Sequence, residues 1–221
     1  MSAANPGLLR VLSKHRAEAL NDGIYAVAMT LLALELKIPE VLQSEGALVR
    51  ELVHLVPRFV AWVISFFILA IFWMSHQRAF HFVRHVDAKL LWINVVQLLL
   101  ASLLPFSSSL IGEHPGFFTA QAFYAGNMAA LALATIWQLN YLENHAELCD
   151  PPVPRYVAKA ARFRCWSLVA VAALAVLLAA FDPRIGTAAF MLMIVLSRVG
   201  RRIEAREAGK LAHLSSDRPF P

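Results

Sequence analysis

The run RAEALNDGIYAVAMTLLALELKIPE, from Arg16 to Glu40, decides the fold class. It is mostly apolar and has about the 20 residues that a helix needs to cross the hydrocarbon core of a bilayer. One acid, Asp22, lies near its start and another, Glu35, near its end, with the hydroxyl of Thr30 between them. Carboxylates beside an apolar span are costly and are usually kept for a reason, so both acids are candidate functional residues.

The composition extends this interpretation to the whole chain. Of the 221 residues, 59% are hydrophobic and only 16% are charged, which is too little charge for a soluble domain of this size. We predict an all-α membrane protein with one six-helix domain over residues 1–221, in which residues 200–221 form a cytoplasmic tail. The predicted spans are about 19–36, 57–75, 90–111, 120–142, 163–181 and 185–199.

The distribution of basic residues predicts the orientation. Most of the 20 Lys and Arg residues fall in four segments: the N-terminus, the second-to-third connection, the fourth-to-fifth connection and the tail. The positive-inside rule then places both termini in the cytoplasm, with an even number of spans. The net charge of +5 therefore reflects topology and contact with anionic lipid. Because the basic residues are scattered and no recognition motif accompanies them, we predict no nucleic-acid partner.

The sequence offers little chemistry for an enzyme. Ionisable residues cluster at the ends of the predicted spans, and neither a nucleophile beside a base nor a mid-membrane carboxylate or histidine relay is evident. His81 and His85 share a helical face near His76, which would suit a metal, but hydrogen bonding to neighbours is the usual fate of such groups. We predict no enzyme activity, no metal site and no cofactor. Cys149 and Cys165 are predicted to be free cytoplasmic thiols.

One stripe on the first span is a candidate functional surface. Val27, Thr30, Leu31 and Leu34 follow one another at i, i+3, i+4 and i+7, so they share one helical face. Glu35 lies at the outer end of this stripe. Apolar residues line most membrane helices, so ordinary packing or lipid contact is the alternative interpretation of the stripe.

Two blocks of the sequence resemble the endosomal and lysosomal potassium channel family (transmembrane protein 175-like), in its bacterial six-helix form. That family has an Arg, three residues, Phe-Ser-Asp, a small apolar stretch, Thr-Leu-Leu, an acid and Pro in its first helix. The matching positions here are Arg16, Leu20-Asn21-Asp22, Thr30-Leu31-Leu32, Glu35 and Pro39. A second block, residues 72–106, matches the family at Trp73, His76, Arg84, Asp87, Asn94 and Pro105.

The resemblance implies a homotetramer whose central pore is lined by the first helix of each subunit. Val27, Leu31 and Leu34 would match the apolar constriction, Thr30 the selectivity hydroxyl, and Glu35 the outer mouth. The implied function is a potassium-preferring monovalent cation leak channel, multi-pass in a bacterial cell inner membrane. Its partners are then permeant potassium and other monovalent cations, membrane lipid and further copies of the chain. A proton-permeable channel, an ion-coupled secondary transporter and a non-conducting scaffold remain alternatives.

The resemblance also implies an inner structural network that ties the first helix to its neighbours. In this sequence the network would comprise Arg16, Asn21, Asp22, Trp73, His76 and Asn94. The chain departs from the family here, because Leu-Asn-Asp replaces Phe-Ser-Asp. Asn21 can both donate and accept hydrogen bonds, so we expect the network to survive the replacement.

Overall fold

The computed structural model describes residues 14–37, 44–182, 189, 190 and 192. The predicted sixth span and the predicted tail therefore fall almost wholly outside the described residues, as does Pro39. Within the described part the chain is helical and contains no β-strand, which confirms the all-α part of the prediction. The helices are α1 (Lys14–Leu34), α2 (Glu45–His54), α3 (Val56–Phe80), α4 (Ala88–Ser102), α5 (Leu104–Glu113), α6 (Phe118–Asn144) and α7 (Arg155–Ala179), with a 3₁₀ turn at Ala146–Leu148.

Four of the described segments are long and apolar enough to cross a membrane. They are Lys14–Leu34, Val56–Phe80, Ala88–Glu113 and Arg155–Ala179. At 27 residues α6 is also long enough, but its mean hydropathy is lowered by buried polar side chains. These are Gln121, Asn127, Thr135 and Gln138.

Prolines mark where one helical segment ends and the next begins. The predicted span 90–111 is built from two helices, α4 and α5, which meet at Leu103, just before Pro105 in the first turn of α5. The short helix α2 similarly gives way to α3 at Leu55, with Pro57 in the first turn of α3. Proline has no N–H to donate within a helix and suits only the first turn, so each ring starts a new segment.

The helices pack around α6, which contacts α4, α5 and α7, while α3 packs against α1, α5 and α7. One face of α1 is buried in this bundle, through residues spaced three or four apart: Ala17, Asn21, Tyr25, Ala28 and Leu32. The larger apolar core lies along the middle of the helices. A second core, around Phe80, Leu90 and Leu139, closes the end that is predicted to face the cytoplasm.

The α3–α4 and α6–α7 connections meet at the same end of the bundle. Val83 and Cys149 form an antiparallel bridge, and the Arg84 guanidinium donates to a carboxylate oxygen of Asp150 at 2.9 Å. The orientation predicted from the basic residues likewise puts both connections on one side of the membrane. Burial at this junction raises the pKa of the Cys149 thiol, so this cysteine is a poor nucleophile at neutral pH.

Gly112 allows α5 to approach the start of α3. A Cβ atom at this position would lie 3.0 Å from Arg58 Cα and 3.2 Å from Arg58 Cγ. Backbone atoms cannot move aside as a flexible side chain can, so any larger residue must push the two helices apart.

We therefore expect Gly112→Ala to destabilise the protein by about 1–3 kcal/mol, the usual cost of overpacking. The measurement is thermal unfolding in one detergent. Gly126→Ala is the matched control, because a Cβ there meets nothing within 4 Å and alanine favours a helix. Equal unfolding temperatures for the two variants would contradict a tight α3–α5 contact.

Candidate functional site

The predicted stripe lies on the face of α1 that the other described residues leave uncovered. Val27 is 54% exposed, Leu31 42% and Leu34 64%. At 100° per residue these positions lie about 80° to 140° around the helix from the centre of the buried row that runs from Ala17 to Leu32. In a membrane protein such an apolar face is covered either by lipid or by another chain.

Thr30 places a polar atom within this apolar face. Its hydroxyl donates a hydrogen bond to the Val27 carbonyl oxygen at 2.8 Å, within the same helix. The donor is thus used by the backbone, while the hydroxyl oxygen keeps lone pairs on the exposed side. Thr30 can therefore present a partial negative charge outward without leaving an unsatisfied O–H.

Glu35 follows the last residue of α1 and is half-buried. The hydroxyl of Ser109, on α5, donates to Glu35 Oε2 at 2.7 Å. This hydrogen bond attaches the end of α1 to α5 and fixes the direction of the carboxylate. The sequence placed Glu35 at the outer end of the stripe, and the structure adds a partner on another helix.

At the other end of α1, three buried side chains form a continuous hydrogen-bonded chain. The Asn21 amide Nδ2 lies 2.8 Å from His76 Nδ1, and His76 Nε2 lies 2.9 Å from Asn94 Oδ1. With the amides so placed, Asn21 donates and Asn94 accepts. The neutral imidazole with its proton on Nε2 satisfies both contacts. One side chain on α3 therefore bonds α1 on one side and α4 on the other.

Asp22 makes a separate contact with α3, one residue along α1. The indole N–H of Trp73 donates to Asp22 Oδ1 at 2.8 Å, and the side-chain amide of Gln77 donates to the same oxygen. Trp73 and Gln77 are four residues apart, so they share one face of α3. The carboxylate thus reinforces the contact that Asn21 and His76 make deeper in the bundle.

Arg16 is not brought into this network. Its side chain is exposed, and among the described residues it makes neither a hydrogen bond nor an ion pair. The position lies eleven residues before Val27, which puts the two on the same helical face within about 20°. Of the six predicted network residues, the structure connects Asn21, His76 and Asn94 in one chain and Asp22 and Trp73 in a second contact.

Three polar contacts in the structure were not predicted from the sequence. Gln77 could have been found from its i+4 spacing to Trp73, but Ser109 carried no such signal. Arg164 counted among the basic residues of the fourth-to-fifth connection, yet it is buried in α7 and its guanidinium donates to the hydroxyl of Ser75 at 3.1 Å. Contacts between residues so far apart in the sequence cannot be predicted from local spacing.

A set of buried polar side chains also connects the helices behind α1. The Ser65 hydroxyl donates to Ser108 Oγ at 2.9 Å, so the Tyr124 hydroxyl, also 2.9 Å away, donates to Ser65. On the same helices, Asn127 Nδ2 donates to Ser107 Oγ at 3.1 Å. These bonds join α3, α5 and α6 where no water competes, so they help to hold the scaffold against which α1 packs.

Comparison with known proteins identifies the family of this chain. Residues 16–105 match the family model for the endosomal/lysosomal potassium channel TMEM175. The chain is 33% identical over 155 residues to a potassium channel of Streptomyces collinus, an alignment that covers 67% of this chain and 74% of that protein. The chain belongs to the TMEM175 family. TMEM175 proteins are ion channels, so this chain is a channel-family protein and not an enzyme.

Further relatives of this chain are also channel proteins. A potassium channel of Chamaesiphon minutus is 35% identical over 140 residues, covering 61% of this chain and 66% of the relative. The crystal structure of a lysosomal potassium-selective channel TMEM175 homologue from the same organism matches with a TM-score of 0.70 at 27% identity, covering 85% of this chain and 97% of that chain. The endosomal/lysosomal proton channel TMEM175 of Homo sapiens is 30% identical over 182 residues, which cover 73% of this chain but only 36% of the human protein.

The hydrogen-bonded chain through His76 generates a stability prediction. We expect Asn94→Ala to destabilise the protein by about 1–3 kcal/mol, because it leaves His76 Nε2 buried without an acceptor. Thermal unfolding in detergent measures the effect. Asn144→Ala, an exposed asparagine at the end of α6, is the control and should unfold with the wild-type protein. An Asn94 variant as stable as the control would show that the bond contributes little.

Proposed function

We propose that this protein is a potassium-preferring monovalent cation leak channel, assembled as a homotetramer around the exposed face of α1. The observation that carries the proposal is that face, which is apolar, contains one hydroxyl and is left uncovered by the rest of the described chain. The names of the bacterial relatives, which are potassium channels, support potassium as the preferred ion.

A single stripe on a single helix cannot enclose a path for ions. Cyclic symmetry repeats the stripe around an axis, so that Val27, Leu31 and Leu34 each become a ring. A cyclic assembly turns the same face of every subunit towards its axis. The tetramer would thereby bury the exposed face of α1, removing it from lipid.

The stacked apolar rings would form the constriction. A narrow hydrocarbon neck excludes water and makes a cation give up hydration without replacement, which opposes entry. Thr30 would interrupt this barrier with a ring of hydroxyl oxygens. Because its O–H is engaged by Val27, each hydroxyl would turn its oxygen to the ion, where it could replace part of the hydration shell.

The two acids of α1 would have different roles. Glu35, fixed by Ser109, would form a ring of negative charge at the outer mouth and raise the local cation concentration. Asp22 would instead hold α1 to α3 through Trp73 and Gln77. With Asn21, His76 and Asn94, it would fix the rotation of α1 about its axis, and hence the side chains that face the pore. Arg16 would lie at the inner mouth.

Proton conduction is the second candidate, because the mammalian relatives are named proton channels. The chain spans about 39% of the mouse protein, so the comparison concerns only part of that channel. Comparison of potassium, sodium and proton fluxes in one liposome preparation separates the two candidates. A saturable, ion-coupled flux would instead indicate a secondary transporter, and correct assembly without any flux would indicate a scaffold.

The constriction can be tested at Leu31. We expect Leu31→Asn to raise potassium flux into liposomes on the order of tenfold, because lowering a barrier by about 1.4 kcal/mol multiplies a rate by ten. Discrimination against sodium, measured from reversal potentials, should fall. Thr30→Ala should change the selectivity more than the total flux.

Leu99→Asn is the matched control, because Leu99 on α4 is also an exposed membrane leucine, at 65%. It should conduct as the wild-type protein does. If Leu99→Asn raises the flux as much as Leu31→Asn, the stripe is an ordinary lipid-facing surface and the pore assignment is wrong.

The assembly can be tested with a cysteine at Leu34, at the end of the stripe. In a tetramer with α1 at its centre, Leu34→Cys should form covalent dimers on mild oxidation, because equivalent positions meet around the axis. Native mass spectrometry should find four chains in each complex. Cys149 and Cys165 are both buried, so they contribute little background.

Phe181→Cys is the control for this experiment. Phe181 is 92% exposed and follows α7, whose surface the proposal leaves on the outside of the assembly. It should give no dimers under the same conditions. Cross-linking that is equally efficient at both positions, or complexes of one chain that still conduct, would contradict the proposed arrangement.

A further inference from the structure

A second feature of the structure lies on the other side of the bundle, at the end that is predicted to face the cytoplasm. An open cleft of about 640 Å³ separates the end of α6 from the start of α7. Its charged lining residues are Arg155, Lys159, Arg162 and Glu143. Three cations and one anion leave the cleft with a formal excess of positive charge.

The three basic residues belong to one continuous stripe. Arg155, Lys159, Arg162 and Trp166 are spaced at i, i+4, i+7 and i+11, which places them within about 60° of one another around α7. The basic residues at the start of α7 are thus followed, on the same face of the helix, by the indole of Trp166. Trp166 is 55% exposed, so the indole lies on the surface of the bundle and not in its core.

Arg162 joins this stripe to a similar one on α6. Its guanidinium donates to Asn140 Oδ1 at 2.7 Å and forms an ion pair with Glu143. Trp137 precedes Asn140 by three residues on the same face of α6 and is 47% exposed. Because α6 and α7 are antiparallel neighbours, Trp137 and Trp166 both lie about 5 Å further from the cleft than Arg162, measured along the helix axes.

Next to the two indoles, on the side away from the cleft, the exposed surface of α6 and α7 is apolar. On α7 the stripe continues through Ala173 to Leu177, and on α6 through Leu133; all three are exposed. The order from the cleft inward is therefore cation, tryptophan and aliphatic side chain. A phospholipid has the complementary order, with a phosphate, an interfacial glycerol region and acyl chains.

We propose that this cleft binds the phosphate headgroup of an anionic phospholipid, whose acyl chains lie along the exposed faces of α6 and α7. Arg155 and Lys159 supply the cations for the phosphate, while Arg162 is held in place by Asn140 and Glu143. Basic pockets between transmembrane helices on the cytoplasmic side recognise such headgroups. The site does not involve α1, so it stands independently of the proposed pore.

The test uses the full chain in detergent, titrated with phosphatidylglycerol or phosphatidylcholine and followed by native mass spectrometry. The wild-type protein should retain phosphatidylglycerol in preference to phosphatidylcholine. The double variant R155Q/K159Q should bind phosphatidylglycerol about 25-fold more weakly, because each basic residue near a membrane surface contributes about fivefold and the two contributions multiply. Its affinity for phosphatidylcholine should not change.

The matched control is R84Q/K89Q, which removes the same charge from the same end of the bundle but outside the cleft. It should retain the wild-type preference. An equal loss of affinity for phosphatidylglycerol in both double variants would show that general surface charge explains the binding. That result would overturn the proposal. Inorganic phosphate provides the other arm: if it displaces phosphatidylglycerol at equal concentration, the cleft is a site for soluble phosphate and not for lipid.

Size-exclusion chromatography before the titration checks that each variant is folded. If R155Q/K159Q elutes as an aggregate, the single variants R155Q and K159Q replace it, and each should bind phosphatidylglycerol about fivefold more weakly than the wild-type protein. Wild-type retention of phosphatidylglycerol by both single variants would also overturn the proposal.

Discussion

The imidazole of His76 is the constraint on which the arrangement of α1 depends. Hydrocarbon offers no water to satisfy an unpaired ring nitrogen, so both nitrogens must find partners inside the bundle. Asn21 and Asn94 provide them from helices on either side of α3. Because each hydrogen bond tolerates only a few tenths of an ångström, α1 and α4 are fixed in depth and in rotation relative to α3.

Fixing the rotation of α1 also decides which of its faces is left uncovered. The row that contains Asn21 also contains Tyr25, Ala28 and Leu32, and all of it is buried. The opposite face, with Val27 and Leu34, is consequently turned away from the chain's own core. Asp22 supports the same rotation from one residue away, through a carboxylate that accepts from two α3 side chains. The hydrogen bonds at the polar end of α1 therefore determine which side chains its apolar part exposes.

The sequence predicted the parts of this arrangement that depend on local spacing. Hydrophobic runs of sufficient length predicted membrane helices, and the periodicity of 3.6 residues predicted that Val27, Thr30, Leu31 and Leu34 share a face. Spacing along the chain does not predict which face of a helix meets which neighbour, because hydropathy is nearly uniform around a membrane helix. The partnership of Ser109 with Glu35, across 74 residues, and the burial of Arg164 against Ser75 required the tertiary structure. The division of span 90–111 at Leu103 was not predicted, although Pro105, whose missing N–H favours a helix start, lies two residues further along the chain.

The exposed face of α6 and α7 differs from the exposed face of α1 in a way that bears on what covers each of them. On α6 and α7, cations stand above exposed tryptophans and the tryptophans above aliphatic side chains, which is the profile of a surface graded from headgroup to acyl chain. The exposed face of α1 has no aromatic residue; small residues such as Gly23 and Ala26 lie beside branched ones and one hydroxyl. Lipid gains little from a lone hydroxyl in its hydrocarbon region, whereas small residues let helices approach closely. The contrast favours lipid on α6 and α7 and further copies of the chain around α1, which is the division that a central pore requires.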